Sequence, residues 1–513
     1  MAGQVTLRIK QLLRIDRGRV WPLFATMLLG YALRVWGLTS QSLWRDEVDA
    51  IRFATRTLPA LLETFREPGE NGPLYFLLLR PWLQVFGQSE FSLRYPSVLL
   101  GTLAIPLTWV VARRLFRFFG QRPAVQDVAS TPASSVGVSA GLGTLFVALS
   151  PYLVWYSQEG KMYALVVVMA LASLAALLWA STPDARHPAG RWLAYVVITS
   201  LGFYTHVLLV LMLPVHAFLF FLGWPQTRRH GVGALASLAC FTLPYLPLVW
   251  WQVRLLTSPN FEPGFDFVPL GRMSAILLAA LGRGIRPTPS LGFTAVWVFL
   301  ILAALLLGKG AASRRSTAAL LAWLAIPPLL LYLITLQVPL FNDRYLIFIA
   351  PAFYLLSAAG LVAVGRYSRS LAVIACVIAV GLQLVGMWGQ VHTPLKADWR
   401  SAAAFVQTNR SPGDIVIFQH PYNRIAYAYY AGWDYPWRET PYAPETANMT
   451  VADVGTRLAP LVEGARYVWL VESEAELWDP HGLNRQWLDS QGQPVADVLF
   501  NLVHVTRYQL SGQ

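Results

Sequence analysis

Apolar residues gather into long blocks separated by short polar connections until the last quarter of the chain, where the pattern changes. Each block runs roughly 17 to 22 residues, enough for a helix rising 1.5 Å per residue to cross a hydrocarbon layer about 30 Å thick. The blocks predict spans over about 20–38, 95–111, 137–154, 162–180, 232–251, 291–307, 317–337, the stretch after 345, and 371–388. Residues 192–223 are too long for one span and read as a hairpin turning near Tyr204-Thr205-His206. With that hairpin counted as two, the total is about eleven spans. A further apolar stretch, 73–86, is interrupted by Arg80 and Pro81. As a full span it would put Arg113, Arg114, Arg117 and Arg122 on the wrong side for the positive-inside tendency, so it reads as a helix lying at the outer interface within a first external loop, 39–94.

The connections supply the orientation. Arg186 with Arg191, Arg228 with Arg229, Lys309 with Arg314 and Arg315, and Arg366 with Arg369 all fall on the same side as the Arg113 cluster. That side is cytoplasmic by the positive-inside rule. Residues 1–19 form a basic amphipathic stretch (Leu7, Ile9, Leu12 and Leu13 among Arg8, Lys10, Arg14, Arg17 and Arg19), suited to lying on the cytoplasmic leaflet. No cleavable signal peptide is expected, since the first block is too long for a signal core.

Composition narrows the class. The 513 residues are 55% hydrophobic and 13% charged, about half the charge of a usual soluble domain, with a mean hydropathy of +0.47. Disorder, a nucleic-acid-binding domain and an ordinary cytosolic enzyme are excluded. The net charge of +13 is explained by the basic inner connections rather than by a polyanionic partner. Cys240 and Cys376 each sit inside an apolar block and suggest neither a disulfide framework nor a metal pair.

After about residue 391 the chain becomes polar. Helices are predicted over 398–409, 423–430 and 483–490, and strands over 414–418 and 467–471. The expected architecture is a mainly α polytopic membrane helix bundle (20–390) with a small external α/β domain (391–513).

Charges beside a bilayer are costly and mark candidate chemistry. The first outer loop opens with Trp44-Arg45-Asp46-Glu47-Val48-Asp49, and on a helix Asp46 and Asp49 share a face while Glu47 points elsewhere. A partly desolvated carboxylate there can take a proton from an alcohol; the same acids also suit a solvated helix N-terminus. Tyr156-Ser157-Gln158-Glu159-Gly160-Lys161 lies at another outer edge, and fits an interfacial aromatic belt equally well. His206 lies at the hairpin tip, where a purely structural histidine is the plainer reading. Topology alone brings Asp46, Glu47, Glu159 and His206 to one membrane face. Carboxylates and a histidine at one depth could hold a divalent metal ion, although nothing in their spacing demands one. Asn342-Asp343-Arg344-Tyr345 begins the tenth span; an arginine there either pairs with a lipid phosphate or anchors the helix. Lys161 and Arg45 are weaker candidates for the phosphate. There is no phosphate-cradling glycine loop, paired zinc motif or serine-nucleophile elbow.

Taken together these residues resemble the GT-C superfamily of membrane glycosyltransferases, in particular bacterial relatives of the protein O-mannosyltransferases and the lipid A aminoarabinose transferases. The resemblance is carried by Asp46-Glu47 after the first span, the stretches 72–80 and 86–97, residues 156–165, Tyr204-Thr205-His206 and Arg344-Tyr345-Leu346, and it covers about residues 20–360. Where some relatives have a His-Pro-Pro-Leu-like sequence, this chain has Asn71-Gly72-Pro73-Leu74, followed by Tyr75. It therefore lacks a histidine ligand there.

The resemblance implies a polyprenyl-phosphate sugar donor, transfer to an acceptor hydroxyl at the outer face, and inversion at the anomeric carbon. It maps the general base onto Asp46 and a second acid onto Glu159, where relatives often have Asp. Arg344, with Lys161 or Arg45, would stabilise the departing phosphate, and His206, Asn71, Tyr75 and Tyr345 would line the site. No cofactor is expected as a requirement, and a divalent metal stays open. The expected acceptor is a lipid, glycan or protein, and the expected location is a plasma (inner) membrane with a cytoplasmic N-terminus and an external C-terminal domain. A lipid-sugar flippase is the main alternative, but its charges should line a path through the midplane. Here the acids sit at one face. An envelope-assembly protein acting through its tail is a third reading.

Overall fold

The structure is a computed structural model, which describes residues 17–65, 71–120, 133–182, 188–241, 265–285 and 291–511. The chain divides into two compact units. One comprises residues up to Trp36, Arg56–Phe86 and Arg94–Gln390; the other comprises Gly37–Thr55, Gly87–Leu93 and Val391–Gln513.

The first unit is built of helices among its described residues. Glu90–Gly120 (from Arg94 on), Tyr163–Ala180, Ser313–Thr335, Asp343–Gly365 and Arg369–His392 are each long and apolar enough to cross a bilayer. Val136–Leu149 and Pro151–Ser157 make a further span bent by 55°, and Trp21–Val35, Val207–Leu222 and Phe293–Leu307 are shorter apolar helices. Pro188–Thr205 supplies the first arm of the predicted hairpin, which breaks at His206. Helix covers 231–241, the start of the predicted 232–251 block; the rest of that block lies outside the described residues. The protein is thus a polytopic membrane protein.

Tyr163–Ala180 and Ala350–Gly365 are apolar all round and buried on nearly every side, as central helices must be. Ala350–Gly365 packs against Leu291–Leu307, Ala133–Leu149 and Ala311–Thr335. Buried indoles there find acceptors: Trp297 Nε1 donates to the Gly282 carbonyl (3.1 Å) and Trp323 Nε1 to that of Phe348 (3.1 Å).

Two expectations need correction. The connection between the predicted spans 232–251 and 291–307, where no element is expected, contains a 14-residue helix, Leu270–Arg283, hidden by the prolines and glycines around it. The outer turn expected at 155–161 is shorter, because helix continues to Ser157. The stretch 73–86 is a helix, Pro73–Phe86.

The second unit contains a five-stranded sheet: β1 (Ile415–Phe418), β2 (Trp437–Glu439), β3 (Tyr467–Glu472), β4 (Gly492–Phe500) and β5 (Val503–Leu510), in the order β2-β1-β3-β5-β4. β1 runs parallel to β2 and β3, while β5 is antiparallel to β3 and β4. The period of two sends Val416, Phe418, Trp469 and Val471 into one core with helices Trp399–Asn409 and Pro421–Ala431. Ile415, Ile417, Val468 and Leu470 enter a second core with helices Val451–Val462 and Leu483–Gln491. The result is a sheet covered on both faces. β2, the β4–β5 hairpin and the Val451–Val462 helix add to the elements expected from sequence.

Candidate active site

In the first unit the predicted residues of four separate chain segments converge. The break between Val136–Leu149 and Pro151–Ser157 comes from proline chemistry: Pro151 lacks an N–H and drives Ser150 into extended backbone, where its hydroxyl caps the Leu153 N–H at 3.1 Å. The second half-helix then carries Tyr152 and Tyr156 towards Tyr163, with ring centroids 5.1 Å and 5.2 Å apart along the series. The Tyr152 hydroxyl donates to the Asp343 carbonyl at 2.8 Å. The Arg344 guanidinium lies 5.5 Å from the Tyr163 ring centroid and 5.8 Å from that of Tyr345, and Glu159, Asp343 and Arg344 are near enough to Tyr156 for their charges to act on it. Asn342 sets up this corner by accepting the Arg344 N–H at 3.3 Å, starting the 3₁₀ turn Asp343–Ile349.

The His206 ring meets that of Tyr345 at 5.3 Å with a tilt of 48°, and its Nδ1 accepts the Leu208 N–H at 3.2 Å. Asn71 joins the same corner by accepting the Val207 N–H at 3.0 Å. Gly72 follows with φ +82°, and a Cβ there would press on Met162 and the Thr205 carbonyl. Only glycine suits that combination. Tyr75 is buried beside Phe76, and Lys161 Nζ lies 5.8 Å from the Phe76 ring. Glu159 is buried. The structure therefore brings Asn71, Tyr75, Glu159, Lys161, His206, Arg344 and Tyr345 into one unit, and His206, Tyr345 and Arg344 are in direct contact in series.

Asp46, Glu47 and Arg45 belong to the second unit, on the helix Arg45–Thr55. Its buried stripe is Glu47, Val48, Ala50, Ile51 and Ala54, so the two adjacent carboxylates part ways as expected. Glu47 is fully buried, and its Oε2 accepts from Lys396 Nζ at 2.9 Å. Asp46 keeps 17% of its side chain exposed and lies 3.5 Å from Arg45 Nε, while Asp49 pairs with Arg52 at 2.9 Å. The preceding loop is tied to the C-terminal segment. Ser42 donates to Asp398 (2.9 Å), Gln41 accepts the N–H groups of Leu395 and Lys396 (both 2.9 Å), and the Leu43 N–H donates to the Tyr430 hydroxyl (2.7 Å). Burial works to raise the Asp398 carboxyl pKa; hydrogen bonds from Ser401 and Ser42, with the Arg400 charge, outweigh it and hold it below the usual range.

Among the described residues no three His, Cys, Asp or Glu side chains gather where they could hold a metal ion. Sequence reasoning passed over Tyr152, Tyr163, Lys396 and Arg34. Only Arg34 carried a visible signal, a lone arginine inside an apolar block.

Residues 60–229 match the N-terminal domain of the protein O-mannosyl-transferase TMEM260. An undecaprenyl phosphate-alpha-4-amino-4-deoxy-L-arabinose arabinosyl transferase of Pseudomonas fluorescens is 25% identical over 318 residues, 53% of this chain and 50% of the relative. The corresponding protein of Pseudomonas paraeruginosa is 26% identical over 253 residues, covering 44% and 43%. The matches thus span at most half the length of these curated relatives. Among solved structures, ArnT from Cupriavidus metallidurans in the apo state aligns with a TM-score of 0.58 at 14% identity, over 96% of this chain and 98% of that one. AglB from Archaeoglobus fulgidus, solved with an inhibitory peptide and a dolichol-phosphate, aligns with a TM-score of 0.56 at 13% identity, covering 88% and 69%. The likeness to ArnT and AglB shows that the chain shares their fold.

Proposed function

We propose that the protein is a glycosyltransferase of an inner (plasma) membrane, moving a sugar from a polyprenyl-phosphate donor to an acceptor hydroxyl at the outer face, with inversion. The observation that carries this reading is the corner in which Arg344 lies over tyrosine rings near Glu159 in a membrane chain of GT-C fold. A guanidinium is the side chain best matched to a phosphate at headgroup depth, because it is always charged and donates as a planar fork.

In this reading the acceptor oxygen attacks the anomeric carbon from the face opposite the phosphate. The bond from that carbon to the phosphate oxygen breaks, and the polyprenyl phosphate leaves with its electrons. Asp46 takes the acceptor's proton. Arg344, supported by Lys161, stabilises the growing phosphate charge; Glu159, His206, Asn71, Tyr75 and Tyr345 shape the site. Binding of the long lipid tail holds the reacting carbon in place. The buried Glu47 positions the helix that bears Asp46. The N-terminus is assigned to the cytoplasm and the C-terminal unit to the outside.

The test is reconstitution of the purified protein in liposomes with radiolabelled polyprenyl-phosphate sugars and host-membrane acceptors, with and without chelator. Transfer that falls at least about 100-fold in Asp46→Asn and in Arg344→Ala supports the reading. Transfer surviving Asp46→Asn removes the base assignment. Movement of intact lipid-linked sugar across the vesicles without turnover would replace the enzyme with a flippase.

A further inference from the structure

In the second unit, β1 and β3 run parallel and finish side by side at Phe418 and Val471. The space beyond the carboxyl ends of parallel strands is where α/β sheets commonly receive ligands. Here it is lined by rings. His420, two residues after β1, stacks on Trp478 at 3.9 Å and on Tyr422 at 4.7 Å, and meets Tyr442 edge-on at 4.4 Å. His420 Nδ1 accepts the Tyr422 N–H at 3.1 Å, which fixes its plane. His420 is buried at the base of the group, while Tyr422 remains 38% exposed and Trp478 and Tyr442 are half-buried, so these three rings keep surface towards the outside.

Polar groups border these faces. The Arg45 guanidinium lies 4.8 Å from the Tyr422 ring centroid, 3.7 Å from Glu474 and 3.5 Å from Asp46. Glu474 sits in a left-handed backbone conformation (φ 54°) and accepts from Trp478 Nε1 at 3.4 Å. A glutamate held there costs free energy, and such strain concentrates at functional positions. Gln419, next to His420, is fully buried, and neither its amide nitrogen nor its amide oxygen has a partner among the described residues, an unusual state for a native buried amide.

Rigid ring faces edged by one cation, two carboxylates and an amide match a ligand with an apolar face and a rim of hydroxyls. A sugar ring is such a ligand. With Arg45 facing Glu474 and Asp46, no excess positive charge is left for a phosphate, and the polar border does not suit an acyl chain. We infer that His420, Tyr422, Tyr442 and Trp478, bordered by Arg45 and Glu474, form a carbohydrate platform that seats the acceptor. The acceptor is then a glycan, with a hydroxyl delivered to the neighbouring Asp46. This rests on the transferase reading proposed above.

The experiment measures binding of the full-length protein, in lipid nanodiscs, to an array of mannose-, galactose-, glucosamine- and arabinose-containing oligosaccharides, with acceptor-type peptides on the same array. At least one glycan should bind, with Kd raised at least about tenfold in Tyr422→Ala and in Trp478→Ala and restored by Tyr422→Phe. Tyr422 is exposed, so its removal leaves folding intact. Asp46→Asn should retain glycan binding while losing transfer. Binding of peptides alone, of no glycan, or of glycans equally well by both alanine variants overturns the platform. Glycan binding lost in the alanine variants, in a protein that turns over no lipid-linked sugar, would uphold the platform and refute the transferase.

Discussion

Asp46 and Glu47 are neighbours in sequence with opposite fates. On a helix consecutive positions point about 100° apart, and the stripe Glu47, Ile51, Ala54 is the one turned inward. A carboxylate that is fully buried and paired with Lys396 at 2.9 Å is committed to holding structure; one that keeps part of its surface can meet an acceptor. The two should therefore separate in mutagenesis. Glu47→Gln leaves a buried ammonium facing a neutral amide, and breaking a buried pair costs about 3–5 kcal/mol. Thermal unfolding should show that loss, with transfer falling only as far as folding does. Asp46→Asn should leave the unfolding midpoint within a degree or two, roughly the effect of a surface change, while removing transfer. Equal loss of stability in both would deny the division of labour. The acidic pair was legible in the sequence because acids beside an apolar block stand out. Glu47's partner was not, since Lys396 is 349 residues away and no local pattern ties them.

Among elements, the bent span is the one on which the corner around Arg344 depends. Its position was readable as an apolar block over 137–154, but hydrophobicity is continuous through Ser150-Pro151 and conceals the break. The break leaves carbonyls at the end of Ala133–Leu149 without helical donors. Arg34, buried in the helix Arg17–Val35, reaches across to supply them: it donates to the carbonyls of Ala148 (3.1 Å) and Val147 (3.4 Å), and through Nε to Ser157 Oγ (3.2 Å). Gly101, on the neighbouring helix, makes the room, since a Cβ there would collide with Ser157 and crowd Arg34. Arg34→Met removes three charge-assisted donors at once and should destabilise the protein by about 2–4 kcal/mol, read as a lowered unfolding midpoint. Arg34→Lys, a single point donor, should recover only part. Gly101→Ala should copy the defect from the opposite side. An unchanged midpoint in both Arg34→Met and Gly101→Ala would show that the break needs no brace.

For the molecule as a whole, the sequence divides most simply into a membrane part ending near residue 390 and a tail, yet the structural division falls elsewhere. Gly37–Thr55 and Gly87–Leu93 fold with residues from Val391 onward. Arg400 and Tyr430 both bind Glu90, Tyr429 donates to the Gln88 carbonyl at 2.8 Å, and Lys396 neutralises the buried Glu47. The helix and strand pattern of the tail could be read locally, because alternation and capping residues are local signals. Its edge strand β4 escaped, since Gly492 and Pro494 look like turn residues and its side chains alternate only weakly. The tie to the first loop escaped for a stronger reason: it consists of single hydrogen bonds and ion pairs between segments some 350 residues apart. The tail is therefore scaffold for the loop that carries Asp46, and a chain ending at Gln390 should leave that loop without its partners. Such a truncation should insert into membranes yet be cut readily by trypsin at Arg45 and Arg52, where the full chain resists, and its transfer activity should be abolished rather than reduced. Tyr430→Phe removes only the donor to Glu90 and the acceptor of the Leu43 N–H; at about 1 kcal/mol for each bond it should produce intermediate cleavage. Resistance at Arg45 and Arg52 in the truncated chain would mean that the loop keeps its fold without residues 391–513, and the tail would then have to be assigned a separate role.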